Sequence, residues 1–237
     1  MKYTLLAFLF TFISYISYAQ NRSKKEVKRM FFHSHGISFQ KFENLNKRIA
    51  AYPQFELAKN STSTLQFGIV AERDRLITSY SINAGSSLSG DRKKKSTNTS
   101  FFGLSADAGY KLLKSASVSL YPFAGLGYEG YKVKLNKDVS AVPFDSVLNS
   151  TNFQQRAENI VFNNSFMLYR LGVGMVITSK KHVRNSIGLQ VDYSGSFKTK
   201  EWRINRSQTL FNSPKDNLSK IAVSILIRYQ LSKEGKK

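Results

Sequence analysis

The 237-residue chain contains no cysteine, which excludes disulfide bonds, thiolate catalysis and cysteine-ligated metal sites. Histidine is scarce too, with three residues, so few side chains are available as a general base near neutral pH. Acidic residues are also few: 15 Asp and Glu against 36 Lys and Arg give a formal charge of +21. Such an excess favours a polyanionic partner, namely nucleic acid, phosphorylated lipid or acidic polysaccharide.

Long apolar runs are absent except at the N terminus, where Lys2 precedes an apolar stretch at residues 5–16. The sequence SYA, ending at Ala19, is an acceptable cleavage site, so residues 1–19 are predicted to be a secretory signal peptide. The alternative is an uncleaved anchor helix, but the run is shorter than the ~20 residues that a spanning helix needs. No second membrane helix is predicted. Export makes nucleic acid the least favoured partner, and a cysteine-free exported chain fits a bacterial envelope.

Alternation of apolar and polar side chains dominates the remaining sequence. In residues 101–112 the even positions are apolar, whereas the odd positions from 103 to 111 are small or charged. A period of two is typical of β-strands with two different faces. Such runs predict eight strands, at residues 36–42, 64–73, 75–86, 99–113, 115–134, 164–179, 185–199 and 218–231.

The connections between these strands alternate in length. Those after strands two, four and six are short, whereas the others are long and cover residues 43–63, 87–98, 135–163 and 200–217. Short turns at one end and long loops at the other are typical of outer-membrane barrels, whose turns are periplasmic. The predicted organisation is an all-β, eight-stranded antiparallel transmembrane barrel at 36–231, with a periplasmic lead-in at 20–35 and a periplasmic tail at 232–237.

The run FMLYRLGVGMVI, residues 166–177, contains a single charged residue, Arg170. Its odd positions form an apolar face, whereas Arg170 shares the other face with Gly172 and Gly174, so the arginine is predicted to point into the barrel. The same face of other predicted strands carries further charges: Asp107, Glu129, Asp192 and Arg228, with Glu72 nearer the periplasmic end. Because a buried charge is destabilising unless it is paired, these groups are predicted to neutralise one another inside a plugged lumen.

The pattern resembles the small outer-membrane β-barrel proteins of Gram-negative bacteria, specifically the Bacteroidota-type barrel domain. The resemblance rests on SYA before Gln20, on the strand and loop pattern of residues 36–231, and on SADAGY at 105–110 and PFAGLGY at 122–128. It implies a porin-like architecture, an outer-membrane location and contact with the barrel-insertion machinery. One feature departs from it: such barrels usually end at an aromatic residue, whereas here Tyr229 and Leu231 precede a further tail.

The three histidines are weak candidates for metal binding or catalysis. His33 and His35 would share one face of a strand, but no third ligand is evident, and both are predicted to lie at the periplasmic edge. His182 falls in a predicted periplasmic turn. Barrel enzymes that modify lipid A need a histidine near the outer leaflet, so that alternative is disfavoured. No metal, no cofactor and no enzyme activity are predicted.

The interior carboxylates offer another catalytic alternative. Asp107, Glu129 and Asp192 could form a glycosidase-like acid and base set, but no substrate-sized cleft is implied. Pairing with Arg170 and Arg228 is therefore the favoured interpretation.

Clusters of basic residues in the predicted outer loops are the strongest functional candidates. They are Arg92, Lys93, Lys94 and Lys95 in the second loop, and Lys200, Arg203 and Arg206, with Lys198 and Lys215, around the fourth. These cations are predicted to pair with phosphates of lipopolysaccharide, the alternative being a solvated, generally adhesive face. Trp202, within the second cluster, is predicted to be an anchor at the membrane interface.

The leading hypothesis is a non-enzymatic outer-membrane barrel with a structural or surface-recognition role, a monomer that contacts outer-membrane lipids and lipopolysaccharide but no nucleic acid. A narrow channel or a barrel component of a secretion apparatus, such as the type IX system, is the first alternative, and a lipid A-modifying enzyme is the second. A soluble barrel of the lipocalin kind, with its apolar face turned inward, is a third, because alternation alone does not tell which face points outward.

Overall fold

The structure is a computed structural model, and it describes residues 27–91, 95–113, 115, 117–137, 159–178, 185–204, 208–209 and 211–230. Eight long strands form the wall: β1 (Lys28–Gln40), β2 (Ser61–Arg73), β3 (Leu76–Gly90), β4 (Ser96–Tyr110), β5 (Val118–Asn136), β6 (Ile160–Thr178), β7 (Asn185–Ser196) and β12 (Ser219–Gln230). Helix α1 (Glu43–Ala50) follows β1. Four two-residue strands lie between β7 and β12: β8 (Lys200–Glu201), β9 (Arg203–Ile204), β10 (Gln208–Thr209) and β11 (Lys215–Asp216).

The eight long strands close into an antiparallel barrel. Each strand pairs with the next along the chain, β7 pairs with β12, and β12 pairs back to β1. Closure is visible at Phe31, which lies opposite Ile69 of β2 on one side and Tyr229 of β12 on the other. The predicted fold class of an eight-stranded antiparallel barrel is therefore confirmed.

The two ends of the barrel differ. At one end, here called the turn end, lie the start of β1, the end of β12 and the β2–β3 turn at Asp74, whose φ is 54°. The opposite end, called the helix end, carries α1 and the strands β8 to β11. In the part of the chain that the structure describes, no helix is long and apolar enough to cross a bilayer.

Several predicted strand boundaries were wrong, most clearly at the start of β1 and between β3 and β4. Strand β1 begins at Lys28, so residues 28–35 belong to the barrel wall and not to a lead-in. Strands β3 and β4 pair as far as Gly90 and Ser96, so the connection predicted at 87–98 consists of residues 91–95. Backbone hydrogen bonds extend these strands through serine- and threonine-rich ends, where apolar alternation gives no signal.

The outward face of the barrel is apolar. Large exposed hydrophobic side chains follow one parity of every long strand, as in Leu104 of β4, Leu171 of β6 and Ile225 of β12. The lipocalin-like alternative, with these faces turned inward, is therefore wrong. The exposed residues form an apolar belt of the kind that surrounds a membrane barrel.

Buried apolar side chains occupy the interior near both ends of the barrel. The cluster toward the helix end contains Phe42, Leu45, Ile49, Ala58, Phe101, Tyr131, Val133, Leu135, Phe166, Leu168, Trp202 and Leu218. The cluster toward the turn end contains Phe32, Val70, Ile77, Tyr121, Phe123, Val176 and Leu226. Polar and charged side chains fill the space between these two clusters.

Glycines of β6 make room for two aromatic rings of the turn-end cluster. A Cβ added to Gly174 would lie 2.3 Å from Cζ of Tyr121, and one added to Gly172 would lie 2.5 Å from Cζ of Phe123. Both distances are far below van der Waals contact. The aromatic residues that interrupt the alternation of β5 therefore point inward, over backbone that lacks side chains.

Candidate functional site

A hydrogen-bonded polar chain crosses the middle of the barrel interior. Ser34 of β1 donates to Gln66 of β2 at 3.2 Å, and the Gln66 amide donates to Ser81 of β3 at 2.7 Å. The hydroxyls of Ser81 and Ser105 lie 2.6 Å apart, and Asn83 donates to Ser105 at 3.1 Å. Four neighbouring strands are thus linked through their inward side chains.

Arg170 completes this chain and joins it to two carboxylates. Its Nη1 donates to Oγ of Ser105 at 2.7 Å and lies 2.9 Å from Oδ2 of Asp107, while Nη2 lies 3.3 Å from Oδ1 of Asp192. All three charged side chains are at most 8% exposed. The guanidinium therefore bridges β4 and β7 from β6, and its planar fork lets it bind both acids at once.

Glu129 forms a separate buried ion pair toward the helix end. One carboxylate oxygen binds Nζ of Lys220, and the other accepts a hydrogen bond from the Tyr131 hydroxyl at 2.7 Å. The Lys220 ammonium also lies 4.7 Å from the centroid of the Phe101 ring. Both partners are almost completely buried, so the pair is shielded from solvent.

Arg228 forms the third group, toward the turn end. Its Nη1 lies 2.8 Å from Oε1 of Glu72, and its Nη2 donates to the Tyr121 hydroxyl. The second oxygen of Glu72 binds Lys111, at the start of the β4–β5 connection. Glu72 is therefore shared between a cation of β12 and a cation at the turn end.

The five predicted interior residues do not form one network. The structure brings Asp107, Arg170 and Asp192 together, but places Glu129 with Lys220 and Arg228 with Glu72. Lys111 and Lys220 were missing from the predicted set, although Lys220 lies on the inward parity of β12 and Lys111 continues that of β4 just beyond the strand's end. Across the described interior, four carboxylates face four cations, so the excess positive charge of the chain lies elsewhere.

The helix end is held together by one buried acid, Asp216. Its Oδ1 accepts from the backbone N–H of Asn44 at 2.8 Å, and its Oδ2 accepts from that of Leu45 at 3.1 Å and from Nε1 of Trp202 at 2.7 Å. Trp202 is 0% exposed, so its predicted role as an interface anchor is wrong. Its indole packs in the helix-end cluster with Phe42, at 5.3 Å between ring centroids.

Basic residues outnumber acidic ones at the helix end of the described chain. They are Lys41, Lys47, Arg48, Lys59, Lys95, Lys132, Lys134, Lys137, Lys198, Lys200, Arg203 and Lys215, against Glu43, Glu56, Asp91, Glu201 and Asp216. Two surface clefts lie among them, on either side of Lys215.

The first, called the α1 cleft, has a volume of about 660 Å³ and lies between α1 and residues 212–215. It is lined by Asn44, Lys47, Arg48, Ala51, Tyr52, Asn212, Ser213, Pro214 and Lys215. Three of these residues are cations and none is an acid. Arg48 donates to the backbone carbonyl of Asn212 at 3.4 Å, and Asn44 donates to that of Lys215 at 2.6 Å, which ties both walls together.

The second, called the β6 cleft, has a volume of about 530 Å³ and contains the predicted cations Lys200 and Arg203. Its other lining residues are Asn163, Asn164, Ser165, Thr199, Glu201 and Lys215. Nζ of Lys215 lies 2.8 Å from Oε1 of Glu201, and this hydrogen bond and charge hold the pKa of the Glu201 carboxyl below its usual value. One cation of this cleft is therefore partly neutralised.

The other predicted anion-binding residues lie elsewhere. Lys95 lies 3.7 Å from Glu56 and donates to the carbonyl of Pro53 at 3.2 Å, outside both clefts. Arg92, Lys93, Lys94 and Arg206 fall outside the described residues. Lys47 and Arg48 were not predicted as a site, because only the folded chain places α1 beside residues 212–215.

His33 and His35 were predicted to lie at the periplasmic edge of the barrel, and this was wrong. Both lie within β1, on its outward face. Their ring centroids are 5.5 Å apart, and the ring of His33 stacks on Tyr229 at 5.6 Å. His182 lies outside the described residues. Among the residues that the structure places, no group of three or more metal-ligating side chains occurs.

Comparison with known proteins supports the fold. No protein-family model matches the chain, and no curated protein has a similar sequence. Among solved structures, Neisserial surface protein A (NspA) has a TM-score of 0.51 at 8% identity over 87% of this chain and 100% of that one. A major outer membrane protein from Thermus thermophilus has 0.51 at 13%, over 86% and 99%. Ail of Yersinia pestis has 0.49 at 12%, over 87% and 99%. The first two similarities show that the chain has the fold of small outer-membrane barrels.

Proposed function

We propose that this chain is an integral outer-membrane barrel with a non-enzymatic role, and that the cationic clefts at its helix end bind phosphorylated or acidic saccharides such as those of lipopolysaccharide. The observation that carries this proposal is the partition of charge. The interior balances four acids against four bases, whereas Lys47 and Arg48 line the α1 cleft without an acidic partner among the described residues.

The membrane location is supported by the outward face. Exposed leucine, isoleucine, valine and aromatic side chains lie on the outward face of every long strand, a surface that would aggregate in water. In a bilayer the same surface contacts lipid, and the cationic helix end meets the headgroup region. Membrane fractionation, followed by a test for heat-modifiable migration on gels, examines this part directly.

The α1 cleft has the chemistry that an anionic saccharide requires. The side chains of Lys47 and Arg48 are exposed and able to pair with phosphate or carboxylate oxygens, whereas Lys215, also exposed, already pairs with Glu201. Asn44 and Asn212 offer amide groups for sugar hydroxyls. Tyr52, 55% exposed, offers an aromatic face on the wall of the cleft. A simple phosphate ion would use only the cations.

The alternative functions receive less support from the geometry. A channel would need a polar path along the barrel axis, whereas buried apolar clusters lie on both sides of the central charged groups. A lipid A-modifying enzyme would need a histidine near the helix end, whereas the two histidines that are described face outward from β1. Asp107 and Asp192 are bound by Arg170, and the cavities that they line among the described residues measure about 20 and 40 Å³, too small for a sugar substrate.

A pair of matched double variants tests anion binding. Lys47-Arg48 lies in the α1 cleft, and Lys28-Arg29, the same two residue types in the same order, lies at the turn end. We expect K47Q/R48Q to weaken binding of purified lipopolysaccharide by roughly tenfold, equivalent to about 1.4 kcal/mol, and K28Q/R29Q to change it little. Binding of detergent-solubilised protein to immobilised lipopolysaccharide measures both. Equal losses in the two variants would indicate a general charge effect and contradict the proposed site.

A further inference from the structure

We propose that the wall formed by β12, β1 and β2 is a contact surface between two copies of this chain, centred on His33 and His35. This inference goes beyond anion binding and does not depend on it. It starts from two imidazoles that point away from the barrel, into the apolar belt.

The two histidines are surrounded by apolar and aromatic side chains. His33 lies opposite Phe67 of β2 and Ile227 of β12, and His35 lies opposite Leu65 and Ile225. The rings of His33 and His35 meet edge to face, and His33 stacks on Tyr229. The two imidazoles therefore interrupt an otherwise apolar wall.

Their depth makes this interruption unusual. Apolar residues continue on the outward face of β1 on both sides of the pair, with Phe31 toward the turn end and Ile37 and Phe39 toward the helix end. Other outward-facing acidic or basic side chains of the described barrel strands lie nearer strand ends, as do Arg29, Arg73, Lys132 and Lys134. A polar, ionisable group at mid-depth on a lipid-facing surface is destabilising, so such groups usually mark a functional contact.

Neither imidazole has a hydrogen-bond or ionic partner within the described part of the chain, apart from the ring contacts. Lipid acyl chains supply no donor or acceptor. A divalent metal is disfavoured as the occupant, because two neutral imidazoles with no nearby carboxylate would leave its double charge in the apolar belt.

A second copy supplies the missing hydrogen-bonding groups. A neutral imidazole carries one donor and one acceptor, so two imidazoles can bind each other. Both copies insert in the same orientation, and a two-fold axis along the membrane normal therefore brings residues of equal depth face to face. His33 and His35 of one copy then meet the same residues of the other. A dimer differs from the monomer that the sequence analysis favours.

Single-cysteine cross-linking tests the proposal, because the chain contains no cysteine of its own. His35→Cys is compared with Leu126→Cys, an outward-facing residue of β5 on the opposite wall. Each protein is reconstituted in lipid vesicles at low density with EDTA, EDTA is then removed, and the thiols are oxidised with copper-phenanthroline. We expect a covalent dimer from His35→Cys at several times the yield from Leu126→Cys. Equal yields, or none from either, would overturn the proposal.

Energy transfer between labelled copies separates the role of the histidines from that of the wall. A cysteine at the exposed residue Gln54 carries donor or acceptor dyes, and efficiency is measured in the same vesicles with EDTA present. H33L/H35L should reduce transfer to the level of random encounters, whereas the control substitution Leu126→Ala should leave it unchanged. Both variants place apolar residues toward lipid, so the barrel is expected to fold. Undiminished transfer in H33L/H35L, or random transfer in the parent protein, would contradict the inference.

Discussion

At the scale of single residues, Arg170 shows how a permanent charge is accommodated in an apolar run. Its guanidinium donates to Ser105 and pairs with Asp107 and Asp192, so the three charged groups are buried together. A buried ion pair is weak evidence for stability in itself, because desolvation opposes the attraction. Removing one partner, however, leaves the others uncompensated.

Replacing Arg170 with leucine therefore leaves the carboxylates of Asp107 and Asp192 buried in the barrel interior without the guanidinium that pairs with both. We expect Arg170→Leu to lower the free energy of unfolding by about 3–5 kcal/mol, measured as a shift of the urea midpoint in lipid vesicles. Lys59→Leu, which removes an exposed cation at the helix end, should change it by less than about 0.5 kcal/mol. An unchanged midpoint for Arg170→Leu would show that the pairing contributes nothing.

At the scale of elements, α1 depends on a residue far away in the chain. Phe42, at the N-cap position, is buried and makes no side-chain capping bond. Asp216, from the connection between β7 and β12, instead accepts the N–H groups of Asn44 and Leu45. A carboxylate at a helix N-terminus also interacts favourably with the helix dipole, so one residue fixes α1 over the barrel.

Loss of this cap should loosen the helix end while the barrel remains folded. For Asp216→Ala we expect faster hydrogen exchange of the α1 amides and a red shift of Trp202 fluorescence, because the loosened helix end exposes the buried indole to water. The capping loss alone corresponds to about 0.5–2 kcal/mol. Glu43→Ala, which removes an exposed acid of the same first turn, is the matched control. Equal protection in both variants would rule out the capping role.

At the scale of the whole molecule, charges are paired in the barrel interior, whereas the excess cations lie on the surface. Buried apolar clusters lie on either side of the ion-paired centre, and the interior cavity beside Arg170 and Glu129 measures about 40 Å³, room for very little besides water. The cations that have no acidic partner in the interior lie on the surface, many of them at the helix end. An eight-stranded barrel has little interior volume beyond what its side chains fill.

A lumen of this kind should carry no ions. In planar bilayers containing the purified, folded protein we expect no steady conductance at any applied potential, with an open porin as the positive control. The sign of the potential should not matter, because the obstruction is steric and not a single charged gate. A reproducible unitary current would contradict a plugged lumen and favour the channel alternative.

The sequence by itself determined the barrel wall. Period-two alternation located all eight long strands, because an apolar outer face and a crowded interior impose opposite requirements on successive side chains. The inward parity of Asp107, Arg170 and Asp192 followed from the same pattern. The alternation did not predict the strand boundaries where pairing with the neighbouring backbone sets them. These are the start of β1, where histidines interrupt the apolar face, and the serine-rich ends of β3 and β4.

Only the tertiary structure decided which charges meet. Parity places a residue inside the barrel but gives neither its height nor its neighbour, and so Glu129 pairs with Lys220 and not with Arg170. The burial of Trp202 and the joining of α1 to residues 212–215 likewise depend on contacts between segments distant along the chain. The α1 cleft exists because these segments fold together over one end of the barrel. The alternation of apolar and polar residues cannot predict such a contact, because it indicates only the face of the strand on which a residue lies.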